Sequence, residues 1–136
     1  MATCRCDAWQ CTIPGPCVAQ ARPRVARRGN HVHVHDTAPV RDYKAYAKAF
    51  VATQRPPKLF DGPLELIAYV YLVKPKSWPR KRKHADTKPD ADNFGKTICD
   101  CLEGLVYVND SRIVDLEIHK RLSPEPRVEI TVTEVS

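Results

Sequence analysis

The sequence predicts an α+β fold in a single domain, with a mixed sheet of about five strands and two main helices. Three observations predict it. The chain has 136 residues, which is an ordinary size for one domain. Several short segments alternate apolar and polar residues as strands do, and two longer segments repeat apolar residues at helical spacing. We therefore treat residues 1–136 as one domain, in which residues 1–8 need not be ordered.

The N-terminal part predicts two strands. Residues 9–13 alternate weakly and end at Pro14-Gly15-Pro16, so they suit a first strand. Residues 18–28 are rich in proline and arginine, which is typical of an extended or looped segment. The run His31-Val-His-Val-His35 alternates strictly and carries β-branched residues, which predicts a strand.

A first helix and a central strand follow. Asp36 or Thr37 can cap a helix, and Pro39 is tolerated in its first turn. This helix should reach about Thr53 and bury a stripe formed by Val40, Tyr43, Ala47 and Phe50 or Val51. Residues 64–73 form the most apolar stretch of the chain, and their β-branched and aromatic content predicts a central strand.

The C-terminal part predicts a second helix and a hairpin. The helix begins at Asp90 or Asp92 and ends near Gly104. Its apolar stripe has helical spacing and comprises Phe94, Ile98, Cys101, Leu102 and Leu105. Residues 113–121 and 127–135 alternate and are joined by a short proline-containing link. We expect them to pair as an antiparallel hairpin.

Charge is concentrated in two segments. The chain has 22 basic and 16 acidic residues, and residues 74–88 hold seven basic residues against one acid. A second basic cluster lies between residues 22 and 28. Such clusters indicate a polyanionic partner, although basic runs are also common in solvated loops. The candidate nucleic-acid contacts are Arg22, Arg24, Lys76, Arg80, Lys81, Arg82, Lys83 and Lys88. Trp9 and Trp78 suit a core or loop-anchoring role better than base stacking.

The cysteines and histidines leave metal binding open. No apolar run is long enough to span a membrane and no secretory signal is visible, so we expect a cytoplasmic protein. Its six cysteines are then free thiols or metal ligands, and the spacing of Cys4, Cys6, Cys11 and Cys17 matches no zinc motif well. The triplet His31, His33 and His35 suits an exposed polar strand face better than a metal site.

Four residues near the second helix carry the candidate chemistry. Asp90 and Asp92 stand at the helix start, Lys96 follows on the same face, and Asp110 comes after the helix. Carboxylates are ligands that Mg²⁺ prefers, and a lysine can stabilise a more negative transition state. Phosphodiester hydrolysis needs charge neutralisation on the phosphoryl oxygens and an activated water, and a magnesium ion supplies both. The alternative is structural, because aspartates commonly cap helices and Asp92 with Lys96 is an ordinary i, i+4 pair.

A family resemblance favours the catalytic reading. The pattern Asp90-x-Asp92-Asn93-x-x-Lys96-x-x-x-Asp100, then Asn109-Asp110-Ser111-x-Ile113, resembles the signature of RusA-like crossover-junction endodeoxyribonucleases. Similar features are Ile13-Pro-Gly-Pro, Arg22-Pro-Arg24 and the closing Arg127-Val-Glu-Ile-Thr-Val, so the resemblance extends from Trp9 to the end. The chain departs from the family pattern in having Pro89 before the first aspartate and Asn109 in place of an acid.

The resemblance implies a homodimer that cuts four-way DNA junctions by paired symmetric incisions, with Mg²⁺ as cofactor and Mn²⁺ as a substitute. It implies that Asp90, Asp92 and Asp110 bind the metal, that Lys96 is required for catalysis, and that Asp100 is supporting. It also implies a bacterial cytosol or a phage-infected host. Two alternatives stay open: a non-catalytic DNA-binding protein, and a nuclease that acts on flaps, forks or RNA. A zinc-stabilised structural protein is a further one.

Overall fold

A four-stranded mixed sheet carries both helices on one of its faces. The computed structural model describes residues 8–21 and 24–135, with the backbone alone for residues 24–28 and 31–34. The elements in chain order are β1 Ala8–Pro14, β2 Arg24–Arg28, β3 His31–His35, α1 Ala38–Ala52, β4 Leu64–Leu72, α2 Ala91–Leu102, β5 Ile113–Leu122 and β6 Arg127–Glu134. A short 3-10 helix, Asp110–Arg112, precedes β5. The α+β class is confirmed.

The main sheet has the order β1-β6-β4-β5. β6 runs antiparallel to both β1 and β4, whereas β4 and β5 are parallel, with Leu66 opposite Leu116. Two parallel neighbours need a crossover connection, and α2 supplies it. The chain leaves the end of β4, returns along the sheet through α2, and enters β5 at the end where β4 began.

The predicted hairpin between the last two strands is wrong. β5 and β6 each pair with β4, which lies between them. β4 is the most apolar strand, and a position with partners on both sides hides the most surface from water. The Ser123 amide donates to the Leu72 carbonyl at 2.9 Å, so the chain stays paired with β4 to the end of β5 before it crosses to β6.

The strand count and one segment also differ from expectation. The main sheet has four strands rather than about five, because β3 pairs with β2 in a separate antiparallel ribbon. Residues 24–28, expected to be extended or looped, form β2. Arg24 pairs with His35 and Arg28 with His31, so the proline- and arginine-rich segment supplies the partner that the alternating histidine strand needs.

One core joins the sheet to both helices. The alternate residues of β4 that face the helices are fully buried, as are the matching residues of β6. The stripe predicted for the first helix is confirmed, since α1 buries Val40, Tyr43, Ala47 and Val51. The stripe predicted for the second helix is confirmed at Phe94, Ile98, Cys101 and Leu102, but Leu105 lies beyond α2, which ends at Leu102. Trp9 is buried in this core and donates its indole N–H to the Gln54 carbonyl at 2.7 Å.

α2 lies very close to β5 near its start. A Cβ atom added at Gly95 would stand 3.0 Å from Cγ1 of Ile118, so a larger residue there would have to push the Ile118 side chain away by a few tenths of an ångström. At its other end the buried Tyr107 donates its hydroxyl to the Cys99 carbonyl at 2.7 Å. Both ends of α2 are therefore held by contacts with residues outside the helix. Across the parts of the chain that are described, no helix combines the length and apolar character needed to cross a membrane.

Replacing Ile98 with alanine should lower the free energy of unfolding by about 2–5 kcal/mol, the usual range for removing a buried aliphatic side chain. Ile98 is almost fully buried between α2 and the sheet. Urea denaturation followed by circular dichroism measures the change. Leu59→Ala is the control, because Leu59 is 41% exposed and should cost less than about 1 kcal/mol. Equal losses in the two variants would contradict the assigned packing of α2.

Candidate active site

The two faces of α2 differ as the sequence predicted. Asp92 and Lys96 are exposed and Asp100 is half-buried, whereas Phe94, Ile98 and Leu102 on the opposite face are buried. The packed face fixes the rotation of the helix about its axis. The polar face is therefore held toward solvent and toward a cleft beside α1.

Asp90 and Asp92 stand together at the start of α2. Asp90 occupies the cap position, where its carbonyl accepts from the amides of Asn93 and Phe94, but its carboxylate makes no capping hydrogen bond. Neither carboxylate forms an ion pair with another residue whose side chain is described, and the expected Asp92–Lys96 pair is not formed. The alternative interpretation, in which Asp90 caps the helix through its side chain and Asp92 pairs with Lys96, is therefore not supported by any side-chain contact. Both side chains are exposed.

Lys44 of α1 bridges Asp100 on the polar face of α2 and Asp36 just before α1. Its ammonium lies 2.9 Å from a carboxylate oxygen of Asp36 and 2.9 Å from one of Asp100, and the lysine side chain is only 13% exposed. Gln20 donates to the other oxygen of Asp36 at 2.7 Å. These groups line a cavity of about 490 Å³ together with Ala21, Asn93 and Lys96. Sequence reasoning missed Lys44, because nothing local relates it to Asp100, 56 residues away.

The ion pairs shift the pKa values of their members. Hydrogen bonds from Gln20 and Lys44 hold the pKa of Asp36 below its ordinary value. Burial disfavours the charged ammonium of Lys44, but the hydrogen bonds to Asp100 and Asp36 outweigh burial and raise the pKa of Lys44. Asp36 and Lys44 are therefore both charged at neutral pH. Asp100 is engaged in joining two helices.

Asp110 lies at the opposite end of α2 from Asp90 and Asp92. It begins the 3-10 helix after α2, and its amide donates to a carboxylate oxygen of Glu103, the residue that follows α2. A helix of 12 residues is about 18 Å long at a rise of roughly 1.5 Å per residue. Asn109, which stands where an acid was expected, accepts a hydrogen bond from the Ser111 amide through its side chain at 2.8 Å.

One copy of the chain therefore does not assemble the three-acid set. Among the residues that the structure describes, no three histidine, cysteine, aspartate or glutamate side chains lie close enough to hold a metal ion together. Asp90 and Asp92 provide two carboxylates at one end of α2, and Asp110 provides its carboxylate at the other. The donor chemistry suits Mg²⁺, but the positions within one copy do not complete a site.

The basic segment before α2 is an ordered loop. The guanidinium of Arg82 lies 3.8 Å from the centre of the Trp78 ring and 2.8 Å from a carboxylate oxygen of Asp86. Lys74 donates to the Arg80 carbonyl at 2.9 Å. Trp78 thus anchors the loop, as predicted. The remaining candidate DNA contacts of this loop are exposed and comprise Lys76, Arg80, Lys81, Lys83 and Lys88.

The other predicted sites have mixed outcomes. Arg22, Cys4 and Cys6 lie outside the described residues, and nothing is described of the side chains of Arg24, His31 and His33. Cys11, Cys17, Cys99 and Cys101 are free thiols. Burial raises the pKa of Cys17 to about 12 and that of Cys99 and Cys101 to about 11. These thiols are protonated at neutral pH.

Comparisons with known proteins point in one direction. A family model described as "Endodeoxyribonuclease RusA" matches residues 14–133. "Uncharacterized protein YqaN" of Bacillus subtilis (strain 168) is 37% identical over 140 aligned residues, which cover 96% of this chain and 99% of that protein. "Crossover junction endodeoxyribonuclease rusA" of Lactococcus phage r1t is 35% identical over 94 residues, covering 65% of this chain and 69% of the phage protein.

Replacing Asp36 with asparagine should lower the melting temperature by about 3–6 °C at pH 6, because the Lys44 ion pair is lost. The pKa of Asp36 is lowered by folding, so its contribution is complete above the ordinary pKa of about 3.9 and is lost as pH falls through the folded value. The difference between variant and wild type should therefore shrink as the pH falls below about 3.9. Thermal unfolding from pH 2 to 6 measures it. Asp42→Asn on the exposed face of α1 is the control, and a difference independent of pH would refute the assignment.

Proposed function

This chain belongs to the RusA family of endodeoxyribonucleases, and from that premise we propose that it is a magnesium-dependent, structure-selective endonuclease that resolves four-way DNA junctions by paired symmetric cuts. One observation carries the proposal. Asp90 and Asp92 lie exposed at the start of α2 without structural partners among the described residues, directly after an ordered basic loop. A carboxylate pair at the end of a phosphate-binding loop suits a backbone-cutting enzyme.

Each part of this region has a role in the proposal. Lys76, Arg80, Lys81 and Lys83 would hold backbone phosphates, which positions DNA without reading its sequence. Lys88, at the end of the loop, brings a phosphate to the start of α2. Lys96 is exposed one turn after Asp92 on the same face and would stabilise the negative charge that develops on the phosphoryl oxygens. We propose that Mg²⁺ is bound by the carboxylates, with Mn²⁺ as a substitute.

The position of Asp110 supports a homodimer in which two copies complete each site. An acid at the far end of α2 cannot join Asp90 and Asp92 in the same copy. A second copy that runs in the opposite direction would bring its own Asp110 toward them. Four-way junctions are two-fold symmetric, and a two-fold dimer would present two such sites for two symmetric cuts.

The surface that would form this dimer is the edge of β5. β5 is ten residues long and has a partner strand on one side only. It exposes Val114 at 59% and Leu116 at 50%, and Leu116 lies on the face that carries α2. A long edge strand with exposed apolar residues tends to pair with another strand. β5 also carries acidic residues in its first half and basic residues in its second half.

Charge along β5 favours pairing with a second copy. Its first half carries Asp115 and Glu117, and its second half carries His119, Lys120 and Arg121. About a two-fold axis at Ile118, antiparallel pairing puts Asp115 opposite Arg121 of the other copy and Glu117 opposite His119. Opposite charges on facing residues stabilise such a pair, whereas a parallel arrangement would put like charges together.

The same pairing has a consequence for the acids. Antiparallel strands set the beginning of one β5, next to Asp110, beside the end of the other β5. The end of β5 lies next to the start of α2, because Lys120 donates to the carbonyl of Pro89. Asp110 of one copy would thus approach Asp90 and Asp92 of the other. The exposed edge, its charge order and the separated acids all support one dimer.

Asp92→Asn should abolish magnesium-dependent cleavage of a synthetic four-way junction while leaving junction binding within about twofold. We expect a loss of at least roughly 100-fold in the cleavage rate, since a metal-binding carboxylate is removed. Gel assays with and without Mg²⁺, together with binding titrations at fixed salt, measure both quantities. Asp42→Asn is the matched control and should cleave normally.

The same assay separates the candidate functions. Fork, flap, linear duplex and RNA substrates at equal concentration test structure selectivity. Faster cleavage of a fork or flap than of the junction would identify that branched structure, rather than the four-way junction, as the preferred substrate. Binding without any cleavage in Mg²⁺ or Mn²⁺ by the wild type would make the chain a DNA-binding protein. Full activity of Asp92→Asn would remove the site assignment.

Mixing two inactive variants tests whether the site is shared between copies. Asp92→Asn and Asp110→Asn should each be inactive alone, but a refolded equal mixture should recover about a quarter of the wild-type sites. Half of the dimers are then mixed, and each mixed dimer has one intact site. The product should be nicked junctions rather than resolved ones, because resolution needs two cuts.

The matched control is an equal mixture of Asp90→Asn and Asp92→Asn. Both changes strike the same end of α2, so every site in a mixed dimer carries one of them and no activity should return. Recovery of activity in both mixtures would indicate contamination with wild-type protein or an active site other than the one proposed. No recovery in the first mixture, with mixed dimers demonstrated by mass spectrometry, would reject the shared site.

A further inference from the structure

Lys120 of β5 contacts the chain segment that leads into the acid pair. Its ammonium lies 2.7 Å from the carbonyl oxygen of Thr87 and 2.7 Å from that of Pro89. Hydrogen bonds from a charged donor are the stronger kind. The second of these carbonyls belongs to the residue immediately before Asp90. Lys120 therefore reaches from the sheet to the point where the candidate site begins.

Backbone pairing does little to fix the segment that Lys120 holds, and its side-chain contacts lie earlier, where Asp86 binds Arg82 and Ala85 is buried. Residues 83–89 belong to no helix or strand, and none of their backbone groups pairs with another backbone group in the described chain outside regular elements. Lys120 forms no ion pair with a described acid. Its hydrogen-bonding capacity is thus directed at the backbone of this segment.

β5 holds the start of α2 at two successive positions on one face. Ile118 packs against Gly95 in the helix, and Lys120, two residues further along the strand, binds the carbonyls before the helix. Alternate residues of a strand share a face, so both side chains point toward α2. The two contacts lie on either side of Asp90 and Asp92 in the sequence.

We propose that Lys120 is a positioning residue that sets the location of Asp90 and Asp92 through the backbone of Thr87 and Pro89; this rests on the endonuclease function proposed above. Lys120 does not need to touch DNA in this role. Loss of its ammonium releases residues 87–89, and the carboxylates at the helix start lose their defined position. Small displacements of reacting groups reduce rates strongly, by up to about 100-fold for roughly 1 Å.

The test replaces Lys120 with methionine, which keeps the length of the stem and removes the charged donor. The kcat for junction cleavage should fall by about 10- to 100-fold, with KM and junction affinity within about twofold of wild type. Lys58→Met is the matched control, because Lys58 is exposed in the loop before β4 and should leave kcat unchanged. An unchanged kcat in Lys120→Met, or a loss confined to KM, would overturn the proposal, since the latter is the result for a DNA contact.

A measurement without DNA keeps the proposal falsifiable if the variant is less stable. Hydrogen–deuterium exchange should become faster in peptides that cover residues 87–94 of Lys120→Met, while peptides from α1 exchange as in the wild type. Unchanged exchange in residues 87–94 would overturn the positioning role. A wild type that cleaves no branched DNA would instead reject the endonuclease function, and the exchange experiment would still report on the Lys120 contact.

Discussion

The structure depends on one geometric constraint: α2 must run back along the sheet between two parallel strands. β4 and β5 pair in parallel, so the chain has to return the full length of β4 before β5 can begin. The buried face of α2 makes this return path part of the core. As a result, the helix start with Asp90 and Asp92 lies at one end of the sheet, and Asp110 lies at the other.

Polar contacts then fix what the apolar packing leaves adjustable. An apolar stripe holds a helix against a sheet but resists sliding only weakly. The charged contacts on the polar side of α2 and just before its start add the restraint that the apolar packing lacks. Lys44 binds Asp100 and Asp36 on the side of α1, and Lys120 binds the carbonyls before Asp90. A buried lysine is costly without partners, and Lys44 has two carboxylates. The carboxylates at the helix start are left out of these contacts and remain available to a ligand.

In the dimer that we propose, the partner copy overcomes the separation of Asp110 from Asp90 and Asp92 within one copy. A partner copy whose β5 runs antiparallel would bring Asp110 of each copy toward Asp90 and Asp92 of the other. The exposed edge of β5 and the order of its charges suit such a partner. The substrate proposed here has the same two-fold symmetry. Under this proposal, a copy that does not dimerise would bind DNA through its basic loop without completing a site.

The sequence alone determined the features that depend on neighbours within one element. Helical spacing identified the buried and polar faces of α1 and α2, alternation identified most strands, and the spacing of Asp90, Asp92 and Lys96 put these residues on the start of one helix. Only the tertiary structure decided which strands pair, that residues 24–28 form a strand, that Lys44 meets Asp100, and that Asp110 lies far from the acid pair. Periodicity records which side of an element faces the core, but contacts between segments far apart in the chain depend on how all the elements share one core, and no local pattern carries that information.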